Sequence, residues 1–137
     1  MDRKHDAAAT DRSDADAGAS ARRTLLALGA HTLEPRPWQP EPAPPSAVDL
    51  VRHYLWRSAR GDLTSEQDAE GALAALALVP AARAEVDQLE TAALFSARAA
   101  GHTWARLSAA LGLGSPQASQ QRLDRLVARS GDDGGAS

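Results

Sequence analysis

Residues 101–126 read GHTWARLSAALGLGSPQASQQRLDRL, a stretch that encodes two helices joined by a glycine turn. Gly101 is suited to end a preceding helix in the left-handed conformation, and Thr103 is suited to cap the next helix. Gly112 marks the turn between the two helices. Pro116 stands where the second helix can begin, because the first helical position needs no N–H donor. We therefore expect a helix-turn-helix, the motif that places its second helix in the major groove of DNA.

The spacing of apolar residues predicts which side of each of these helices is buried. Ser115, just before Pro116, is a suitable N-cap for the second helix. The positions predicted to face inward are Trp104, Leu107, Leu111, Leu113, Ser119, Leu123, Leu126 and Val127.

The opposite side of the second helix carries side chains that are suited to DNA. Gln117 and Gln121 point outward, and a glutamine can bond both N6 and N7 of adenine, so we predict that these two residues contact bases. Arginine guanidinium groups and hydroxyls bind phosphates without sequence preference. The predicted phosphate contacts are Thr103, Arg106, Ser115, Arg122 and Arg125. The alternative is an ordinary antiparallel helix pair whose polar side is simply solvated.

At these residues the chain resembles a family of small actinobacterial helix-turn-helix DNA-binding proteins, some of which are named as regulators of a small heat-shock protein. The similar segments are VDQLE at 86–90, Trp104 with Leu107, ALG at 110–112 and SPQASQQR at 115–122, within a resemblance covering about residues 62–129. It implies sequence-directed DNA binding by a transcriptional regulator or a nucleoid-associated protein. Several members of that family have arginine at the positions of Pro116 and Gln121. This chain would therefore present less positive charge to DNA than they do.

Composition limits the other possibilities. A chain of 137 residues with no cysteine allows one domain with tails and excludes disulfides and thiolate metal sites, which fits a cytoplasmic protein. The net charge is −3, but residues 61–90 carry seven acidic residues against one arginine, whereas residues 91–130 carry five arginines against one aspartate. The basic surface is therefore expected on the helix-turn-helix.

The chain before the motif divides into a tail, a linker and further helices. Residues 1–45 are predicted to be a disordered tail that ends in the proline-rich linker PRPWQPEPAPP at 35–45. Residues 46–129 are predicted to form an all-α domain of four to five helices, with the helix-turn-helix at 102–129, and residues 130–137 a second disordered tail. The apolar run after Arg22 and Arg23 is too short for export and is predicted to be a short, partly helical segment. No run is long enough to span a membrane.

Three helices are predicted before the motif. The first is capped by Ser46 and ends at Gly61, the second is capped by Ser65 and is interrupted at Pro80, and the third continues from there to about Ala100. Their predicted apolar faces are Val48, Val51, Leu55 and Ala59 in the first, Ala69, Leu73, Leu76 and Ala77 in the second, and Val86, Leu89, Ala93, Leu94, Phe95, Ala97 and Ala100 in the third. The homodimer interface is predicted either on the face of Val48, Val51 and Leu55 or on the seam of Val86 and Leu89.

The sequence offers no catalytic residues, metal ligands or cofactor motif. The four histidines lie in separate segments, and none has a second ligand at helical spacing. We therefore expect a protein that is not an enzyme, has no evident small-molecule ligand and binds double-stranded DNA in the nucleoid as a homodimer. Two alternatives stay open: a helical adaptor or anti-activator that binds protein, and a small nucleoid-associated protein with many short sites.

Overall fold

The computed structural model describes residues 3–133, and this part of the chain contains five α-helices and no strand. The helices are α1 (Arg3–Ala27), α2 (Ala47–Arg60), α3 (Ser65–Ala99), α4 (Trp104–Ala110) and α5 (Pro116–Asp133), with a short 3-10 turn at Ala30–Thr32. The all-α fold is therefore confirmed. None of these helices is both long enough and apolar enough to cross a membrane.

The chain forms two units, Met1–Glu85 and Val86–Ser137, and the boundary falls within α3. The N-terminal unit has a core of apolar side chains from its three helices and the 3-10 turn. The largest fully buried ones are Leu25, Leu50 and Leu78, one from each helix. The remaining buried residues of this core are Ala21, Ala30, Tyr54, Ala74 and Ala75.

The disordered tail predicted over residues 1–45 is not confirmed. Arg3–Ala27 is helical, and its last two turns place Ala21 and Leu25 in the core of the N-terminal unit. These two buried side chains give the last two turns of α1 the apolar contacts that a solvated tail lacks. Residues 3–20, apart from the half-buried Gly18, are exposed along α1. The predicted C-terminal tail also differs, since α5 continues to Asp133, and residues 134–137 lie outside the described part of the chain.

Tyr54 joins α2 to α3 in the N-terminal unit. Its hydroxyl donates to the Asp68 side chain at 2.8 Å and contacts the Asp68 carbonyl oxygen at 3.0 Å. Its ring lies so close to Gly71 that a Cβ atom added there would come within 2.5 Å of the ring. Hydrogen bonds from Ser58 and Tyr54 hold the pKa of the Asp68 carboxyl below its usual range, and the same bond to Asp68 raises the pKa of the Tyr54 phenol.

The N-terminus of α2 is capped twice. Ser46 accepts a hydrogen bond from the Asp49 amide at 3.1 Å, as the sequence predicted. The Glu85 carboxylate of α3 accepts from the amides of Ala47 at 2.6 Å and Val48 at 3.2 Å, a long-range contact that the sequence did not reveal. A carboxylate is stabilised there because the first amides of a helix lack helical partners.

Two predictions about α3 are wrong. The N-cap is Thr64 and not Ser65, because Thr64 and Gln67 exchange side-chain-to-amide hydrogen bonds of 3.1 and 3.0 Å. Pro80 does not interrupt the helix, because α3 is one continuous helix of 35 residues with Pro80 inside it. A proline removes the bond to the carbonyl four residues earlier, here that of Leu76. Leu76 is exposed, so water can satisfy that carbonyl.

In α2 and α3, most of the residues that are buried lie on a different helical face from the predicted apolar residues. In α2 the buried residues are Ala47, Leu50 and Tyr54, whereas Val48 and Val51 are half-buried and Leu55 and Ala59 are exposed. In α3 the exposed members of the predicted set are Ala69, Leu73, Leu76, Ala77, Val86, Leu89, Ala93, Phe95 and Ala100, while Leu94 is buried and Ala97 half-buried. Closely spaced alanines and leucines fit more than one helical face, so spacing alone did not identify the face that each helix buries within its own chain.

Candidate nucleic-acid interface

The C-terminal unit contains the predicted helix-turn-helix, built from the end of α3, α4 and α5. Gly101 has φ 93° and ends the preceding helix in the left-handed region, as predicted. The Thr103 hydroxyl accepts a hydrogen bond from the Arg106 amide at 3.2 Å and caps α4. Both features fix the direction in which the chain leaves α3 and enters α4.

The turn between α4 and α5 also follows the local sequence. Gly112 has φ 71°, and α5 begins at Pro116. The Leu113 amide donates to the Ser108 carbonyl oxygen at 2.8 Å, and the Leu113 side chain is half-buried. The carbonyl of Ser115 accepts from the Ala118 amide at 3.1 Å in the first turn of α5. The turn therefore spans residues 111–115, one residue longer than the commonest form of the motif.

A buried pair of serines holds α4 against α5. The Ser108 and Ser119 hydroxyls are 2.8 Å apart, and both residues are buried, Ser119 completely. The Ser119 hydroxyl also lies 3.0 Å from the Trp104 carbonyl oxygen, and the Ser119 amide donates to the Ser108 hydroxyl at 3.2 Å. Small side chains let the two helices approach closely, and these hydrogen bonds satisfy polar groups that would otherwise be costly to bury.

Apolar side chains complete the small core of this unit. Leu94, Leu107, Leu123 and Leu126 are buried, with Ala97 and Trp104 packed partly against them. Leu111 and Val127, which the sequence predicted to face inward, are 38% and 47% exposed. Leu111 follows the last residue of α4 and Val127 lies at the edge of the buried side of α5, so both fall outside the narrow contact centred on Ser119.

The predicted base-contacting residues lie together on the outer side of α5. Gln117 and Gln121 are both exposed and stand one helical turn apart, and Arg125, one turn further, is exposed as well. Ser119, Leu123 and Leu126 occupy the opposite side of the helix and fix its orientation in the unit. We call Gln117, Gln121 and Arg125 the outer row of α5.

The predicted phosphate contacts fall into two groups. Thr103, Arg106 and Ser115 are exposed near the starts of α4 and α5, where amides and hydroxyls can meet a DNA backbone. Arg106 and Arg125 form no ion pair among residues 3–133. Arg122 differs, because its Nε donates to Glu90 Oε1 at 2.7 Å, and the Glu90 side chain is mostly buried.

A second ion pair joins α5 to the end of α3 in the same unit. Arg129 Nη1 lies 3.4 Å from Asp87 Oδ2. Arg98 packs over the Trp104 ring at 4.6 Å from its centroid and donates to the His102 carbonyl oxygen. Arg122 and Arg129 therefore face carboxylates inside the unit. Arg98, Arg106 and Arg125 form no ion pair among residues 3–133, and of these Arg106 and Arg125 are among the predicted phosphate contacts.

Sequence reasoning missed Ser108, Glu90 and Asp87. Ser108 could have been found, because a small polar residue beside the predicted inward Leu107 indicates close helix packing. The partners of Glu90 and Asp87 are 32 and 42 positions away in the sequence, and no local pattern connects them. No group of three or more histidine or acidic side chains suited to a metal ion occurs in residues 3–133.

Comparisons with known proteins give this chain no relative. No protein-family model, no curated protein and no solved structure matches it.

Proposed function

We propose that this protein binds double-stranded DNA in a sequence-directed way as a homodimer, acting on the chromosome as a transcriptional regulator. The observation that carries the proposal is the outer row of α5, where Gln117, Gln121 and Arg125 are exposed side by side on a helix whose inner side is fixed by Ser119, Leu123 and Leu126. A recognition helix needs both properties, because base contacts require exposed bidentate side chains held in one register.

The charge distribution supports base contacts over strong nonspecific attraction. Arg122 and Arg129 are engaged with carboxylates, so Arg106 and Arg125 are the main candidates for phosphate contacts from one copy. Each phosphate contact contributes about 0.9 to the slope of log affinity against log salt. A homodimer with few such contacts is expected to have a shallow salt dependence and to need two neighbouring half-sites for useful affinity.

The experiment is a fluorescence titration of the full chain against labelled genomic fragments at about 50 and 200 mM salt. The proposal expects one class of fragment to bind more tightly than random DNA at both salt concentrations. In an Arg125→Ala variant, affinity for all fragments should fall and the salt slope should decrease by about one per lost contact. A wild-type protein that shifts no fragment at the lower salt concentration would contradict the proposal.

A second candidate is a helical adaptor that binds another protein. It is favoured by the pairing of Arg122 and Arg129 inside the unit and by Asp124, an acidic residue exposed on α5 next to Arg125. Under this hypothesis, substitutions along the outer row would alter binding to a protein partner without any dependence on DNA sequence.

A further inference from the structure

The C-terminal unit contains an apolar groove of about 450 Å³ between α3 and α4. Small and apolar side chains line most of it, and Glu90, His102 and Arg106 complete the lining. The apolar lining residues are Ala93, Leu94, Ala97, Leu107, Ala110 and Leu111. The volume would hold several aliphatic side chains, and none of the residues described in this unit fills it.

Two exposed apolar side chains, Val86 and Leu89, lie on the same side of α3 as this groove. Val86 and Leu89 are 54% and 69% exposed, and they precede Ala93 and Ala97 at intervals of three and four residues. Residues at this spacing share one side of a helix. A protruding leucine and an apolar recess therefore lie about one turn apart on one face of one helix.

We infer that this face, defined as Val86, Leu89, Ala93 and the groove, is the homodimer interface, and that a second copy of this chain covers it. In a two-fold arrangement centred near Ala93, the Leu89 protrusion of each copy enters the groove of the other. Two-fold interfaces require such self-complementarity, since one surface must fit itself. The alanine at the centre allows the two α3 helices to approach closely.

The charges along α3 select an antiparallel pairing of the two copies. Arg98 lies towards the C-terminal end of this face and packs over the Trp104 ring, whereas Asp87 and Glu90 lie towards its N-terminal end and are paired with Arg129 and Arg122 of the same chain. A parallel pairing would place the two Arg98 side chains together. An antiparallel pairing separates these two positive charges.

The size of the unit supports an obligate partner. Its core contains four buried leucines, while Val86 and Leu89 of this face remain more than half exposed. A unit of this size buries little apolar surface alone, and association is a common remedy. The inference rests on the proposed function in one respect, since that function requires a homodimer to bind two neighbouring half-sites.

The test uses the full chain without DNA, so that its outcome is separate from DNA binding. Sedimentation equilibrium at tens of micromolar should give twice the monomer mass of 14.3 kDa. Leu89→Glu should reduce this to the monomer mass. The matched control is Leu73→Glu, the same change on the same helix at a similarly exposed leucine (72%), and it should leave the dimer intact. Circular dichroism checks that both variants keep their helices.

A cysteine test does not depend on a charged substitution being tolerated. Because the chain has no cysteine, Ala93→Cys introduces a single thiol at the proposed two-fold axis, and mild oxidation of dilute protein should link it to a second copy. Leu73→Cys should stay unlinked. The inference would be overturned by a monomeric wild type or by a dimer that survives Leu89→Glu. It would also be overturned if Leu73→Glu lost the dimer, or if the cysteines at positions 93 and 73 formed disulfides equally well. A dimer that binds no DNA would contradict only the proposed function.

Discussion

The two units of this chain reach their folded states by different means. The N-terminal unit buries a large leucine from each of three helices together with Tyr54, and polar contacts such as Glu85 at the start of α2 and Tyr54 with Asp68 add to this apolar core. The C-terminal unit buries four leucines and two serines. Where apolar burial is limited, hydrogen bonds and ion pairs to α3 fix the position of α5. A small unit can thus hold the inner side of α5 in place and leave the outer side exposed.

The largest effect is expected from the buried leucine of α5. Leu126→Ala should lower the free energy of unfolding by about 2–5 kcal/mol, because it removes apolar contacts and leaves a cavity. The neighbouring Val127→Ala should change it by no more than about 0.5 kcal/mol, since Val127 is half exposed. Urea denaturation of both variants measures this difference. Similar losses of stability in the two variants would contradict the burial of Leu126 and the half-exposed position of Val127.

A glycine tests the packing of the N-terminal unit. Gly71→Ala should be destabilising by about 1–3 kcal/mol, because the new methyl group would overlap the Tyr54 ring. Gly18→Ala is the control, since nothing lies within 4 Å of its Cβ position in α1, and alanine favours a helix by up to about 1 kcal/mol. The midpoints of thermal and urea unfolding should fall for Gly71→Ala and rise for Gly18→Ala. Equal behaviour would mean that the Tyr54 ring does not pack against Gly71 of α3.

The serine pair tests the polar contact of the C-terminal unit. Ser119→Ala should lower the free energy of unfolding by about 1 kcal/mol, because the buried Ser108 hydroxyl loses its closest partner but retains the Pro116 carbonyl oxygen at 3.3 Å. Ser130→Ala, which removes a hydroxyl bonded to the Leu126 carbonyl near the surface, should have little effect. A stabilised Ser119→Ala variant would indicate that the pair does not hold α4 and α5 together.

Acid pH tests the Tyr54 contact with Asp68. The pKa of Asp68 is lower in the folded chain than in the unfolded chain, so its stabilising effect is present above the unfolded-chain pKa and is lost as the pH falls through the folded-state pKa. Tyr54→Phe removes one of the hydrogen bonds that lower this pKa. The melting temperatures of the two proteins should therefore differ more at about pH 6 than at about pH 2. A difference that stays constant with pH would contradict this assignment.

Local features of the fold could be predicted from the sequence. Ser46, Gly61, Thr103, Gly112 and Pro116 each begin or end an element where the sequence placed it, because caps and left-handed glycines depend on the nearest residues. In the candidate site, the same local rules placed Ser119 inside and Gln117 and Gln121 outside.

Long-range features could not be predicted. Leu73 and Leu76 are exposed while Leu78 is buried, because an alanine-rich helix offers several faces of similar apolar character and only its tertiary partners select one. Arg122 was predicted to bind phosphate, but it contacts Glu90, which is distant in the sequence. The same limit applies to the helical N-terminal segment, whose Leu25 is stabilised by a core built from residues far along the chain.

The proposed function depends above all on base contacts by Gln117 and Gln121 of the outer row, and it is tested most directly by comparing two glutamines of α5. Gln121 belongs to the outer row, while Gln120 is also exposed but is rotated away from it by about 100°. Gln121→Ala should lose about 1–3 kcal/mol of binding free energy on the preferred fragment and almost none on random DNA. Gln120→Ala should bind both as the wild type does. Equal losses for the two variants, or no loss for Gln121→Ala, would contradict base contact by the outer row.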